Sequence, residues 1–232
     1  MNGIRLLIDT SKCIGCKACQ VACQQWHSLP SEDTAFTGSY QNPRDKSAAN
    51  LTVTKFFEIV DTKLNWLFFK DQCRHCDDPP CMEACPLRAI VKQPDGVVRI
   101  DPAKCFPSRC SSYDIKPCQD ECEFDEIPRY KYVKDGSPVS TKMRKCDFCY
   151  DRFTSTLGVQ SKKPACQISC PPGAISFGDA DPMLTEAMNR VDYLKTHGFP
   201  EANIYPDQSE SDEATHVLWV LTKREGQYGQ DD

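Results

Sequence analysis

Sixteen of the 232 residues are cysteine, and they fall into four groups of four. The groups are Cys13, Cys16, Cys19 and Cys23; Cys73, Cys76, Cys81 and Cys85; Cys105, Cys110, Cys118 and Cys122; and Cys146, Cys149, Cys166 and Cys170. At about seven per cent, cysteine usage is several times ordinary, so thiol chemistry is the main theme of the chain. Three chemistries compete for such thiols. A secreted disulfide scaffold is usually shorter and follows a signal peptide. The start, Met1 to Asp9, offers no apolar h-region and no twin arginine. Structural zinc suits the isolated pairs Cys73-x2-Cys76 and Cys146-x2-Cys149. It has no use for three closely spaced thiols followed by a fourth that points elsewhere. Iron–sulfur ligation fits all sixteen.

The first run, Cys13-Ile-Gly-Cys16-Lys-Ala-Cys19-Gln-Val-Ala-Cys23, has the C-x2-C-x2-C-x3-C spacing that holds cubane [4Fe–4S] clusters in bacterial ferredoxins. There the first three sulfurs bind one cluster and the fourth reaches a second, so each run demands a partner run. Four [4Fe–4S] clusters are expected. The crossing rule groups Cys13, Cys16 and Cys19 with Cys170, and Cys146, Cys149 and Cys166 with Cys23. It likewise groups Cys73, Cys76 and Cys81 with Cys122, and Cys105, Cys110 and Cys118 with Cys85. The third run, Cys105 to Cys122, departs furthest from the pattern, with gaps of four and seven residues.

These runs must be positioned by short strands and helices, and an internal repeat shows how. Cys85-Pro-Leu-Arg-Ala-Ile90 and Cys170-Pro-Pro-Gly-Ala-Ile175 share C-P-x-x-A-I, while Ile8 to Cys13 and Ile100 to Cys105 share I-D-x-x-K-C. The fold class expected is α+β: two nested bacterial-ferredoxin-like units with irregular loops and a C-terminal helix–strand extension. One unit comprises residues 1–70 with 140–180, the second is inserted as 71–139, and the extension covers 181–232. Within this plan Ile4 to Asp9 reads as a strand and Lys17 to Gln25 as a helix, with Trp26 and His27 packed against the cluster shell. Leu51 to Val60 and Asn65 to Lys70 read as a hairpin through Asp61 to Leu64. Residues 28–50 read as a partner-binding loop or a plain surface loop. Asp181-Pro182 starts a helix to about His197, with Met183, Leu184, Ala187, Met188, Val191 and Leu194 on one face. An acidic loop from Asp207 to Glu213, a last strand from His216 to Thr222, and a mobile tail from Glu225 complete the reading.

Formal side-chain charge is −5, and sixteen thiolates with four oxidised cubane cores bring it to about −13. An acidic body without a basic patch argues against nucleic acid and anionic lipid. The apolar stretches around Trp66 and Trp219 are strand-sized, so no transmembrane segment is expected. No phosphate loop, dinucleotide fingerprint or nucleophile triad is present, so a catalytic residue is not expected. His75 reads equally as a hydrogen-bond donor to a cluster or as a surface residue. Lys17, Arg74 and Arg88 read as charges that raise cluster potentials.

The whole pattern resembles the electron-transfer subunits of the dimethyl sulfoxide reductase family of molybdenum and tungsten enzymes. More closely it resembles the iron–sulfur (β) subunits of soluble formate dehydrogenases. The resemblance rests on Thr37 to Pro43, Trp66 to Phe69, Gln72-Cys-Arg-His-Cys76 with Pro79-Pro-Cys81, and Ile127-Pro-Arg129. It rests also on Lys145-Cys-Asp-Phe-Cys149 with Asp151-Arg152, Pro164-Ala-Cys166 and Phe177-Gly-Asp179. It implies a separate large molybdopterin or tungstopterin catalytic subunit that oxidises formate or reduces carbon dioxide. It also implies a cytochrome, ferredoxin or further redox subunit as electron partner. Several soluble members have lost one cluster, whereas this chain retains sixteen cysteines. Membrane-bound members carry a C-terminal transmembrane helix without a counterpart here, which implies a soluble or peripheral complex. Such subunits often cross membranes on the signal of their large subunit, so periplasm and cytoplasm both fit. Another molybdopterin oxidoreductase for sulfur compounds, sulfoxides, nitrogen oxides or aldehydes is the alternative partner, and a free polyferredoxin the alternative class.

Overall fold

The computed structural model describes residues 3–60, 64–125, 127–154, 162–208 and 214–230. In chain order the strands are β1 (Ile4–Asp9), β2 (Val53–Val60), β3 (Leu64–Asp71), β4 (Ile90–Lys92), β5 (Val98–Ile100), β6 (Arg129–Lys134), β7 (Ser137–Arg144), β8 (Ile175–Asp179), β9 (Asn203–Tyr205) and β10 (Val217–Leu221). Two longer helices, α1 (Ala18–Trp26) and α7 (Ala180–Thr196), flank short ones: α2 (Pro80–Glu83), α3 (Pro107–Cys110), α4 (Pro117–Asp120), α5 (Tyr150–Thr154) and α6 (Ala165–Ile168).

One four-stranded sheet organises the chain, in the order β8-β1-β10-β9. Strand β1 runs antiparallel to β8 and parallel to β10. Strand β10 is buried at every position, which its unbroken apolar run Val-Leu-Trp-Val-Leu requires of a central strand covered on both faces. Alternation sorts the two faces. Leu7, Leu218 and Val220 meet α7 through Ala187, Val191 and Leu194. On the other face Leu6, Ile8, Val217, Trp219 and Leu221 meet Phe69, Phe148 and Tyr228. Trp219 stacks on Phe69 at 4.9 Å between ring centroids, and its Nε1 donates to the Lys70 carbonyl at 3.2 Å.

The repeated sequence marks make the same local structure twice. Ile8 pairs with Ile175, and Ile100 with Ile90, each across an antiparallel ladder. The Asp9 amide donates to the Ala174 carbonyl at 2.8 Å, and the Asp101 amide to the Ala89 carbonyl at 2.7 Å. In the second pair the turn at Pro94 to Gly96 closes a hairpin. There Gly96 adopts φ +88, and the His216 ring fills the space that a Cβ would need. A second core, with Ala89, Ile90, Val98, Tyr130 and Met143, gathers four further cysteine-bearing segments.

Several expectations are corrected. Met188 is exposed, because the packed stripe of α7 runs through Met183, Leu184, Ala187, Val191 and Leu194 and leaves it to one side. The tail is folded over its described residues: Glu225–Tyr228 is a 3-10 turn, and Tyr228 is 1% exposed. Its hydroxyl is shared with Thr10 at 3.0 Å and Thr222 at 2.9 Å, which ties the chain end to both central strands. The 28–50 segment divides. Phe36 and Tyr40 are exposed, while Lys46 to Asn50 are buried and tied back by Ser47 and Asn50, both donating to Glu32. Strand β7 runs across the expected boundary between residues 139 and 140, paired with β6. The expected hairpin turn 61–63, the acidic stretch 209–213, most of the Cys149–Cys166 loop (155–161) and the last two residues lie outside the described residues. Among the described residues no helix is long and apolar enough to cross a membrane.

Candidate iron–sulfur cluster sites

Each of the four expected cysteine quartets comes together in space. At the first site Cys13 faces Cys16, Cys19 and Cys170. Cys23, Cys146, Cys149 and Cys166 line a second cavity. A third is lined by Cys73, Cys76, Cys81 and Cys122, and a fourth by Cys85, Cys105, Cys110 and Cys118. The wide gaps of the third run do not prevent this, because α3 and α4 take up the extra residues and return Cys110 and Cys118 to the cavity.

The loops that present the sulfurs share one geometry. In three C-x-x-C pairs, the residue before the second cysteine is left-handed: Gly15 at φ 65, His75 at φ 52 and Phe148 at φ 58. This turns the chain around the site and lets the Gly15 and Phe148 amides donate to the Cys13 and Cys146 sulfurs. Gly15 has no substitute, since a Cβ there would stand 2.8 Å from the Phe68 ring. The third cysteine of each run sits in the first turn of a helix. Pro80 precedes Cys81 and Pro117 precedes Cys118, with φ already fixed for the helix start. The crossing cysteines repeat a second device: the Ala89 amide donates to Cys85 Sγ and the Ala174 amide to Cys170 Sγ, both at 3.3 Å.

Electrostatics at the four sites follow from burial. Desolvation pushes the Cys13 thiol up to about 11, with further upward pressure from its three cysteine neighbours. The Cys81, Cys118 and Cys146 thiols are pushed up to about 12, again chiefly by burial. Sulfurs so placed become thiolate ligands only where positive charge enters the cavity with them. Four soft donors around largely apolar walls, in need of compensating charge, fit a cubane iron–sulfur core. They do not suit a hard cation, which takes oxygen ligands.

Two cations meet these sulfurs that sequence reasoning missed. Lys70, 3% exposed, lines the second cavity, and its ammonium donates to Gln72 Oε1. Burial alone would push that ammonium down; Cys166, Cys19, Cys146 and Cys23 outweigh it and hold it above the ordinary lysine range. Lys145 lines the third cavity and donates to the Val98 and Cys146 carbonyls. It too is held up against burial, by Cys73, Cys81 and Cys146. A lysine directly before a cysteine also occurs at Lys12 and Lys104, yet both of those reach the surface beside Asp9 and Asp101. The sequence signal is the same, and only the fold separates them.

The charges expected from sequence are placed differently. Arg74 lines the third cavity but is paired with Asp71 at 2.8 Å. Lys17 reaches the Tyr40 and Asn42 carbonyls at 2.6 and 3.1 Å, and Arg88 is exposed. His75 is fully buried, its ring tilted against that of Phe148 with centroids 3.9 Å apart, and its Nδ1 accepts the Val98 amide. The surface reading of His75 is therefore corrected. His27 stands 3.7 Å from Cys149 Sγ and 3.4 Å from Asp147, on the wall of the second cavity. Trp26 lies further out, donating to Asp151 at 3.0 Å.

Residues 64–180 match the family model of the 4Fe–4S dicluster domain, and residues 5–25 match a 4Fe–4S binding domain. The formate dehydrogenase-O iron–sulfur subunit of Escherichia coli (strain K12) is 40% identical over 217 residues, covering 93% of this chain and 65% of that protein. The beta subunit of formate dehydrogenase 2 (cytochrome c-553) of Nitratidesulfovibrio vulgaris is 35% identical over 228 residues, 96% of this chain and 94% of that protein. The chain belongs to the formate dehydrogenase iron–sulfur subunits. As a member of that family it carries 4Fe–4S binding domains. A wider relative is a sulfite dehydrogenase subunit of Allochromatium vinosum, 31% identical over 77% of this chain and 70% of that protein. The chain spans about two thirds of the length of the Escherichia coli relative.

Proposed function

We propose that this chain is the electron conduit of a formate dehydrogenase complex, with four [4Fe–4S] clusters held by the four quartets. It links a molybdopterin or tungstopterin catalytic subunit, which oxidises formate or reduces carbon dioxide, to a cytochrome, ferredoxin or further redox subunit. Each cluster, when bound, accepts and releases one electron. The observation that carries this reading is the crossing of the quartets, three sulfurs from one run and one from another at every site. We read the chain as two ferredoxin-like units, one inserted in the other.

The cysteines also supply an order. Cys19 of the first site faces Cys166 of the second. Lys145 touches both the second and third sites, and Cys81 of the third faces Cys118 of the fourth. The protein's own contribution is to bury and hydrogen-bond the sulfurs, exclude water and fix this succession. Cys16 is the one exposed cysteine, so the first site is the end of the series most open to a partner.

Anaerobic purification with iron, tungsten and molybdenum analysis and a formate-dependent dye assay tests the reading. About sixteen irons on this chain, a large copurifying pterin subunit and formate activity are expected. A colourless zinc-bearing chain would sink it. Similarity to a sulfite dehydrogenase subunit supports a second reading, the same conduit serving another oxidoreductase, which an iron-loaded complex inert to formate would favour.

A further inference from the structure

We propose that Lys70 and Lys145 are shared counter-charges, each seated between two successive cluster sites and raising the reduction potential of both. This rests on the four-cluster reading above. Lys70 lines the second cavity with Cys23, Cys146 and Cys166. It also borders the first site: Thr54 is its partner in the β2–β3 ladder, and Thr54 Oγ1 lies 3.8 Å from Cys19 Sγ. Side chains directly opposite in an antiparallel pair share one face of the sheet, which sets Lys70 over both sites. Lys145 lines the third cavity with Cys73, Cys76 and Cys81, yet its ammonium also donates to the Cys146 carbonyl of the second site at 3.1 Å.

Neither lysine pairs with a carboxylate among the described residues. Asp71, the buried acid next in sequence to Lys70, is taken by Lys46, Lys55 and Arg74. The charge of each lysine is therefore left for the sulfurs it faces. Arg74, the remaining buried cation of the third cavity, shares that same Asp71 and also acts on Cys122. The fourth site differs. The lysines near it are held by backbone carbonyls: the half-buried Lys142 donates to Pro102, and the buried Lys116 to Ser111 and Tyr113.

A buried cation acts at low effective dielectric, so its field reaches both neighbouring sites with little screening. It favours the reduced, more negative state of each cluster. One electron arrives and leaves at each site, while the lysine stays an ammonium and passes neither proton nor electron. Each shared cation lifts two neighbours together, and the second site, which faces both lysines, is lifted most.

The test uses the intact complex, purified anaerobically, with each cluster followed by electron paramagnetic resonance during a redox titration. Lys70→Met is expected to lower the midpoints of the first two sites, and Lys145→Met those of the second and third. At the wild-type midpoint the oxidised-to-reduced ratio should rise at least tenfold, 59 mV for one electron. Lys70→Arg and Lys145→Arg keep the charge and should stay within threefold of wild type. A methionine variant that retains all its iron but moves fewer than two midpoints, or moves the fourth site equally, overturns the inference. Selective loss of iron at a single site does the same, since it marks structural support only. If a methionine variant does not assemble, Lys70→Gln and Lys145→Gln replace it, and failure of these too overturns the inference in favour of a folding requirement. Absence of sixteen irons from the wild-type complex would refute the cluster reading instead, which keeps the two failures distinct.

Discussion

Among single residues, Asp71 carries the heaviest electrostatic duty outside the cysteines. Three cations converge on its carboxylate: Arg74 at 2.8 Å, Lys55 at 3.0 Å, and Lys46. Burial would raise its pKa, but Arg74 and the two lysines hold it well below the usual carboxylate range. Asp71→Asn leaves Arg74 buried without a carboxylate partner among the described residues, while Lys46 keeps Asp45 and Asp125. We expect a cost of about 3–5 kcal/mol, seen in thermal unfolding of the loaded protein as a fall of roughly 10 °C. An unchanged midpoint would show that the cations relax outward to water. His216 gives a pH-dependent counterpart. Its Nδ1 donates to the Ile4 carbonyl at 2.7 Å, and burial, only partly offset by that carbonyl and Asp77, lowers its pKa. The folded state thus prefers the neutral ring, whereas the unfolded chain binds a proton near pH 6.5. Its contribution is whole above about pH 6.5 and declines as pH falls below that value. The unfolding midpoints of wild type and His216→Gln should therefore differ more at pH 7.5 than at pH 5.5; a constant difference would refute the assignment.

The element that closes the structure is the 3-10 turn Glu225–Tyr228, which a reading of composition alone leaves as loose tail. Tyr228 packs on Phe57 and Phe69 and shares its hydroxyl with Thr10 and Thr222. Thr10 directly follows β1 and leads to Cys13, so this contact steadies the segment that presents the first site. Tyr228→Ala removes a fully buried ring and its hydrogen bonds with Thr10 and Thr222, and a loss of about 3–5 kcal/mol is expected. Hydrogen exchange should show the protection of β1 and β10 amides falling together, because the turn touches both strands; a change confined to residues 225–230 would limit its role to its own turn. The β4–β5 hairpin is the opposite case, an element read directly from its turn residues and its flanking cysteine marks.

For the whole molecule, the proposed four-cluster reading makes the fold and the cofactor set interdependent, because each quartet draws on two runs. Cys118→Ser removes one sulfur of the fourth site while leaving the other three quartets intact. Metal analysis is expected to find about four irons fewer per chain, or one fewer if a three-iron core is retained; an unchanged iron count with an unaltered spectrum would exclude Cys118 as a ligand. The four cysteine runs were legible in the sequence because ligand spacing is a local property, and the fold brings residues more than a hundred positions apart, such as Cys13 and Cys170, to one place as the proposed crossing requires. The strand marks were legible too, since I-D-x-x-K-C and C-P-x-x-A-I recur and pair alike. What the sequence could not tell is which of several like residues are buried. Lys12, Lys104 and Lys145 each precede a cysteine, yet only Lys145 is enclosed, and Lys70 carries no motif at all. Periodicity and spacing record what a residue's neighbours in the chain are. Burial and charge depend on what arrives from elsewhere: β10 between β1 and β9, the Tyr228 turn beneath them, and two lysines enclosed among sulfurs from separate runs.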